Sequence, residues 1–308
     1  MPGLMERLRS EALLVADGAW GTELIRRGLD VLREPADSWN LSRPDAVAEV
    51  AGLYAPHADM LSTNSFGASR TRLTPFGLEE NTAAINTRAV EIARNALRTR
   101  PSTRRPSGLI AGALGPVRGP GRTQPDDGAL AEVYREQASH LAAAGASFLV
   151  LETMTDLKEA LIAVKAARSA CTLEVVCSFA FREGPTGHFD TWSGHAVEEA
   201  LNSALDAGAA MVGANCVPAT GSLLALVTDM RDLMGARPLW LKPNAGQPGS
   251  QPDATGRLTL HYPHPLRGLS LDSLCDALGH GIIGGCCGTT PEDIAVLRNE
   301  IDRRATRM

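Results

Sequence analysis

Three cysteines are candidate metal ligands in this chain of 308 residues. Cys286 and Cys287 are adjacent within GHGIIGGCCGTTPED (Gly279–Asp293), and Cys216 directly follows the apolar run Ala210–Asn215. Adjacent cysteines cannot form an unstrained disulfide, and the flanking glycines permit a sharp turn that aims both side chains at one ion. A lone cysteine is most often an inert buried hydrophobe, but three thiolates with one exchangeable position are typical of catalytic zinc. The triple therefore predicts a catalytic zinc site.

Eight short apolar runs, which alternate with longer helical patterns, must position these cysteines. Continuous apolar runs of this kind predict parallel strands that are covered on both faces. The predicted strands are Leu13–Asp17, Ala58–Thr63, Gly108–Leu114, Phe148–Thr153, Leu173–Phe179, Ala210–Asn215, Pro238–Pro243 and Gly281–Gly285. Eight such units predict an α/β fold, a single (β/α)8 TIM barrel forming one domain over residues 1–308. A doubly wound open sheet is the alternative, because periodicity does not reveal closure.

The residues that follow the strands of such a barrel face its active-site rim. Asp17 ends the first strand and Gly18 follows it. Thr63 ends the second strand, Glu152 lies near the end of the fourth, and Asn244 follows the seventh. Both carboxylates could capture a substrate ammonium, although a solvated rim or a helix N-cap is an equally common role. Thr63 and Asn244 could also be turn formers alone. The three cysteines fall on this same rim.

Composition and charge exclude several classes of protein. Apolar residues make up 44% of the chain, and 30 basic against 35 acidic residues give a net charge of −5. No basic run is typical of nucleic-acid binding, and no apolar run approaches the roughly 18 residues that span a bilayer. The charged N-terminus lacks the apolar core of a signal peptide. We therefore expect a cytoplasmic protein with reduced thiols and with neither nucleic-acid nor membrane partners.

Seven stretches of the chain resemble the zinc-dependent homocysteine S-methyltransferase family. They are LLVADGAWGTEL, ADMLSTNSFGASRTRL, GALGP, FLVLETMTD, GANC, KPNAG and IIGGCCGTTPED, in that order. The resemblance is closest to the homocysteine-binding barrel at the start of cobalamin-dependent methionine synthase, and it implies that the barrel converts homocysteine to methionine. The chain departs from the family pattern at Ser62, where glutamate is commoner, and at Trp20, where methionine or tyrosine is more usual.

The resemblance also implies roles for individual residues. Three thiolates would bind zinc, and an asparagine carbonyl oxygen would occupy the exchangeable fourth position when substrate is absent. These ligands are Cys216, Cys286, Cys287 and Asn244. The residues implied to hold the amino-acid end of homocysteine are Asp17, Gly18, Thr63 and Glu152. The zinc-bound homocysteine thiolate would attack the methyl carbon of an activated donor, so no further catalytic side chain is expected.

The methyl donor and the acceptor leave alternatives open. The chain ends soon after the eighth strand and its helix, so we expect the methyl group to come from a separate protein or a small donor. Because the resemblance is to the cobalamin-using branch, we expect methylcobalamin, free or on a separate corrinoid protein, to be the donor. The alternatives are S-methylmethionine, S-adenosylmethionine and betaine, whose charge an aromatic cage could hold. Trp20, Trp39 and Trp192 are the indoles near rim loops. A selenol such as selenohomocysteine could replace the thiol, and a zinc-storing or redox-sensing barrel without turnover is a further alternative.

Overall fold

Eight parallel strands form a barrel in the computed structural model, which describes residues 3–101, 108–119, 121, 124–185, 187–247, 249–252, 258–262 and 270–306. The strands are β1 (Leu13–Val15), β2 (Met60–Ser62), β3 (Leu109–Leu114), β4 (Phe148–Met154), β5 (Val175–Phe179), β6 (Met211–Pro218), β7 (Leu239–Asn244) and β8 (Gly281–Ile283). From β2 to β8 each strand pairs in parallel with the next one in the chain, and β8 returns to pair with β1.

The seam between β1 and β2 closes the barrel through fewer contacts than the other strand pairs. Ala16 and Met60 form a single parallel bridge, and the Asp59 N–H donates to the Val15 carbonyl at 2.7 Å. The Asp59 carboxylate also accepts from the Val15 N–H at 2.8 Å and pairs with the guanidinium of Arg298 at 2.8 Å. The prediction of a single (β/α)8 barrel is therefore confirmed, and an open sheet is excluded.

One helix follows each strand on the outside of the barrel. These helices are α1 (Pro44–Tyr54), α2 (Thr82–Thr99), α3 (Asp127–Ala144), α4 (Leu157–Ala170), α5 (Val197–Asp206), α6 (Leu223–Met234), α7 (Leu271–Leu278) and α8 (Pro291–Ala305). Local signals set the ends of α3: the Asp126 carboxylate accepts from the Ala129 N–H, and Gly145 ends the helix with a φ of 92°. None of the described helices combines the length and apolarity needed to cross a membrane.

Shorter elements lie at the two ends of the barrel. Before β1, the helix Leu4–Ser10 inserts Leu4 and Leu8 into the cluster that fills the barrel interior. The short helices Gly21–Arg26, Trp39–Ser42 and Arg70–Leu73 and the 3-10 turns Ala36–Ser38, Thr74–Phe76 and Glu79–Asn81 lie in the loops after β1 and β2. Two antiparallel pairs, Arg182–Glu183 with Phe189–Asp190 and Gly249–Pro252 with Leu258–His261, lie in the loops after β5 and β7.

Aromatic packing fills the barrel below the rim. Phe148 of β4 and Trp240 of β7 meet edge to face, with their ring centroids 6.2 Å apart, and both are fully buried. Side chains two residues apart along a strand point to the same face, so Lys242 and Asn244 follow Trp240 towards the rim on the inner face of β7. The apolar interior thus ends at Trp240, and polar chemistry begins directly above it.

Candidate metal centre and substrate cavity

The three predicted cysteines converge at the C-terminal rim of the barrel. The sulfur atoms of Cys216, Cys286 and Cys287 lie within 4.8 Å of one another, and those of Cys216 and Cys287 are 4.0 Å apart. A tetrahedral zinc ion with Zn–S bonds of about 2.3 Å separates its sulfur ligands by roughly 3.8 Å. The donor atoms and their spacing therefore fit zinc, and among the described residues no second cluster of this kind occurs.

Backbone hydrogen bonds fix the adjacent pair against the end of β7. The Cys286 N–H donates to the Pro243 carbonyl at 2.8 Å, and the Ala245 N–H donates to the Cys287 carbonyl at 2.9 Å. These two bonds extend the pairing with β7 beyond Ile283, the last residue of β8. The two thiols are therefore held by the rim of the sheet.

The glycines before this pair are required by close packing. A Cβ atom on Gly285 would lie 2.3 Å from Thr289 Oγ1, and one on Gly284 would lie 2.7 Å from the Asp17 carbonyl oxygen. Neither glycine has a positive φ, whereas Gly288, after the pair, has a φ of 81°. The expectation that glycine serves a sharp turn thus holds at Gly288, while the two glycines before the pair allow close backbone approach.

A buried asparagine ties the third cysteine to the rest of the rim. Cys216 and Thr153 both have left-handed backbones, with φ of 58° and 62°, which is strained for residues with side chains. Asn215 Oδ1 accepts from the Thr153 N–H at 2.8 Å and from Ser178 Oγ at 2.7 Å. Its Nδ2 donates to Thr153 Oγ1 at 2.7 Å and lies 3.8 Å from Cys286 Sγ. Asn215 therefore links both strained positions to a thiol of the cluster.

Asn244 presents an unsatisfied oxygen beside the cysteines. Its Nδ2 donates to the Cys216 carbonyl at 3.1 Å, which fixes the orientation of the amide. Its Oδ1 is buried and has no hydrogen-bond partner among the described residues. A buried acceptor left unpaired costs about 1–3 kcal/mol, so this oxygen suits a ligand that the protein itself does not supply. The orphaned oxygen fits the fourth position of a three-thiolate site.

Hydrogen bonds link the three thiols with one another and with a neighbouring tyrosine. Hydrogen bonds from Cys216 and Cys286 hold the pKa of Cys287 well below its ordinary value, and a hydrogen bond from Tyr262 adds to this effect. Hydrogen bonds to the other two thiols, together with burial, raise the pKa of Cys216 well above its ordinary value. Tyr262 also covers Gly288, where a Cβ atom would lie 2.2 Å from its ring. Sequence reasoning missed this tyrosine, which lies in a loop with no distinctive motif.

A cavity of about 730 Å³ opens above the cysteines. Its volume lies within the range of roughly 300–1,000 Å³ that is usual for small-molecule sites. The predicted site residues that line it are Gly18, Thr63, Glu152, Cys216, Cys286 and Cys287. Asp17 and Asn244 are outside this lining. The structure thus brings six of the eight predicted residues to one cavity, and Asp17 and Asn244 contact Lys242 and Cys216 of its wall.

Asp17 is the centre of a buried polar network. It has no exposed surface, and its Oδ1 accepts from Lys242 Nζ at 2.7 Å and from Ser62 Oγ at 2.9 Å. Its Oδ2 accepts from Trp20 Nε1 at 2.8 Å and from the Ser62 N–H at 2.7 Å. Four donors match the capacity of a carboxylate. Ser62 and Trp20, the two departures from the family pattern, therefore both donate hydrogen bonds to Asp17. All four acceptor positions of the Asp17 carboxylate are used by groups of the protein.

Glu152 is the predicted carboxylate that faces the cavity. Burial raises the pKa of Glu152 to about 7, the charges of Cys286 and Asp17 add to this rise, and Lys242 opposes it. Burial lowers the pKa of Lys242, but Asp17 and Glu152 together raise it above its ordinary value. Lys242 is therefore a stable cation next to Glu152. It escaped sequence reasoning, although a lysine in the apolar strand PLWLKP was a visible signal.

Thr63 lines the cavity, but its hydroxyl forms hydrogen bonds with neighbouring segments of the protein. Its Oγ1 lies 2.6 Å from Ser65 Oγ and accepts from the Ala113 N–H at 2.9 Å. These contacts tie the end of β2 to β3. The observed hydroxyl contacts are therefore those of a residue that shapes the turn.

The three indoles considered for an aromatic cage are far from equivalent. Trp20 lines the cavity, Trp39 is fully buried in the core, and Trp192 is 60% exposed. A second aromatic wall is formed by Phe66, but the guanidinium carbon of Arg72 lies 4.9 Å from its ring centroid. A cation of the protein therefore already stacks on that ring.

Comparison with known proteins assigns the chain to a protein family. The sequence model of one family, described as homocysteine S-methyltransferase, matches residues 14–301. The chain is 29% identical to the methionine synthase of Mycobacterium leprae (strain TN) over 94% of its own length, and 28% identical to that of Mycobacterium tuberculosis (strain ATCC 25618 / H37Rv) over 92%. It spans about a quarter of these relatives, 24% of each.

Solved structures agree with this assignment over the full barrel. The homocysteine methyltransferase MmuM from Escherichia coli, in its metallated form, is 25% identical, with a TM-score of 0.77 over 96% of this chain and 99% of that one. Its oxidized form has the same identity and a TM-score of 0.78 over 97% and 99%. Both alignments run nearly end to end, so the likeness covers the barrel as a whole.

Proposed function

Because the chain belongs to the homocysteine S-methyltransferase family, we propose that it transfers a methyl group to the thiol of homocysteine and so forms methionine. The observation that carries this proposal is the cluster of three sulfur atoms in the wall of a cavity that Glu152 also lines. Sulfur ligands suit a thiol substrate, and the buried carboxylate suits its ammonium group. One cavity thus offers partners for both ends of an amino-acid thiol.

Cys216, Cys286 and Cys287 would hold a zinc ion, with the free oxygen of Asn244 at the exchangeable fourth position. Bound there, zinc would supply the charge that keeps a substrate thiol deprotonated at neutral pH. Three fixed thiolates with one replaceable oxygen are characteristic of catalytic sites, whereas structural sites have four fixed ligands. The protein's part is to fix three sulfur atoms and to leave the fourth place to the substrate.

The amino-acid end of the substrate is assigned to the part of the cavity wall that carries no cysteine. Glu152 is the carboxylate that we assign to its ammonium, and Gly18 and Thr63 form the adjoining surface. A Cβ atom at Gly18 would lie 2.8 Å from the Tyr54 hydroxyl, so no larger residue fits this part of the wall. Asp17 supports this wall indirectly, because its carboxylate accepts hydrogen bonds from Lys242 and Ser62. The cavity thus binds the substrate by shape and charge.

Replacing Glu152 with glutamine should weaken homocysteine binding by about 1–3 kcal/mol, because one charge-assisted contact to the ammonium is lost. Zinc content should stay unchanged, since Glu152 is outside the sulfur cluster. Calorimetric titration of the zinc-loaded variant with homocysteine measures the effect. Glu132→Gln, at an exposed carboxylate on α3, is the matched control and should leave affinity unchanged. Equal affinities in wild type and Glu152→Gln would remove Glu152 from the substrate site.

We further propose methylcobalamin, free or on a separate corrinoid protein, as the methyl donor. Sulfonium and betaine donors carry a positive charge that needs an aromatic cage. Of the three indoles only Trp20 lines the cavity, its N–H donates to Asp17, and Arg72 already stacks on Phe66. The sulfur cluster lies at the rim, where a large planar donor can approach. This access at the rim is what supports a corrinoid donor.

A donor panel with homocysteine as acceptor, read as methionine formed, tests this assignment. The zinc-loaded protein should turn over fastest with methylcobalamin. A rate at least tenfold higher with S-methylmethionine, S-adenosylmethionine or betaine, equivalent to about 1.4 kcal/mol in the barrier, would contradict the donor assignment while preserving the acceptor. Zinc binding without methionine formation from any donor would instead indicate a zinc-storing or sensing barrel.

A further inference from the structure

Lys242 lies between the two cysteine-bearing segments, one layer deeper in the barrel. In the register of β6 and β7 it pairs with Asn215, the residue directly before Cys216. The next residue of β7, Pro243, accepts the backbone N–H of Cys286 at 2.8 Å. The sheet therefore places the lysine next to both arms of the sulfur cluster.

The side chain of Lys242 forms part of the cavity floor. It follows Trp240 by two residues on the inner face of β7, and its Nζ lies 5.8 Å from the centroid of the Trp240 ring. The residue is 3% exposed, yet it contributes to the cavity lining. Its ammonium thus sits above the aromatic interior, at the wall of the cavity that the three cysteines also line.

The hydrogen bonds of this ammonium leave one donor for a ligand. Lys242 Nζ donates to Asp17 Oδ1 at 2.7 Å and to Ser62 Oγ at 3.1 Å. A lysine ammonium has three N–H donors, and the described residues supply no third partner. The pairing with Asp17 keeps the group charged and fixes its position. A buried N–H donor without a partner is costly, so an acceptor group of a ligand at the third donor is favoured.

We propose that Lys242 binds the α-carboxylate of the amino-acid substrate, an inference that rests on the proposed homocysteine methylation. Among the described residues that line the cavity, Arg72 and Lys242 carry positive charge. Arg72 belongs to the short helix Arg70–Leu73 and stacks on Phe66, whereas Lys242 lies on the strand between the cysteine segments. An α-amino acid carries an ammonium and a carboxylate on one carbon. Glu152 and Lys242 provide the complementary pair of charges.

The test compares two substrate analogues in binding titrations with zinc-loaded protein. Decarboxylated homocysteine keeps the thiol and the amine, and desamino-homocysteine keeps the thiol and the carboxylate. Wild type should prefer homocysteine over the decarboxylated analogue by roughly tenfold to a hundredfold, as expected for a charge-assisted contact. In Lys242→Gln this preference should fall to near one, while the preference over the desamino analogue persists. Glu152→Gln should show the reverse pattern.

A purely structural lysine would lower the affinity for homocysteine and for the decarboxylated analogue by the same factor, so an unchanged ratio in Lys242→Gln overturns the proposal. If that variant fails to fold because Asp17 loses its partner, the double variant Asp17→Asn/Lys242→Gln, which removes both charges, carries the same comparison. Failure of wild type to bind homocysteine at all would refute the proposed function together with this inference. Normal homocysteine binding with an unchanged ratio would refute the inference alone.

Discussion

Replacing Cys286 with alanine should abolish stable zinc binding and lower methyl transfer by at least about 100-fold. Substitution of groups that merely support a metal ligand already costs about 10–100-fold, so loss of one of three thiolates should cost more. The barrel should remain folded, because Cys286 follows β8 at the rim and is outside the buried apolar clusters. Zinc content by elemental analysis, activity and thermal unfolding of the same sample measure the three effects.

Cys171→Ala is the matched control for the loss of a thiol. Cys171 ends α4 at the opposite end of the barrel, where its sulfur contacts the Ala167 carbonyl at 3.8 Å. This variant should keep about one zinc per chain and full activity. Full zinc content in Cys286→Ala would remove that residue from the ligand set. Loss of zinc in Cys171→Ala would show that the cysteines at the rim are not sufficient.

Replacing Asp17 with asparagine should lower the free energy of unfolding by about 3–5 kcal/mol. Lys242 is 3% exposed, and Asp17 is the carboxylate that it contacts, so the substitution leaves an unpaired buried cation. Asparagine would also turn an N–H group towards the donors of Trp20 or Ser62. Chemical denaturation of the metal-free and zinc-loaded proteins, compared at one pH, measures the loss.

The double variant Asp17→Asn/Lys242→Gln separates the stability lost through an unpaired charge from the stability lost through altered packing. It removes the buried cation together with its partner, so it should recover a large part of the lost stability. A loss below about 1 kcal/mol in Asp17→Asn would mean that the pair is weakly coupled. If homocysteine affinity then fell without a change in stability, the direct ammonium contact that the sequence predicts for Asp17 would be supported instead.

The barrel and its rim could be predicted because they depend on local patterns. Continuous apolar runs mark buried parallel strands, and each predicted strand overlaps an observed one. The ends were less accurate: β1 ends at Val15 where the prediction reached Asp17, and β6 continues to Pro218 beyond the predicted Asn215. Hydrophobicity does not show where pairing stops. The left-handed backbone at Cys216, inside β6, has no sequence signal at all.

The sequence could not show that one of the two carboxylates, Asp17, binds protein groups while the other, Glu152, lines the cavity. Asp17 and Glu152 are both acids near strand ends. The donors around Asp17 are Trp20, three residues away, and the distant Ser62 and Lys242. Lys242 is 225 residues away and meets Asp17 across the barrel interior. Such a pairing depends on barrel closure, which periodicity does not reveal. The orphaned oxygen of Asn244 likewise appears only once the cysteine segments are in place.

Removal and restoration of zinc test the central claim most directly. Metal-free protein, prepared with a chelator, is incubated with increasing zinc, and methionine formation from homocysteine is measured with the best donor of the panel. We expect activity to vanish without metal and to return in proportion to zinc, up to about one ion per chain. A metal-free protein that methylates homocysteine at the full rate would contradict a zinc site formed by Cys216, Cys286 and Cys287.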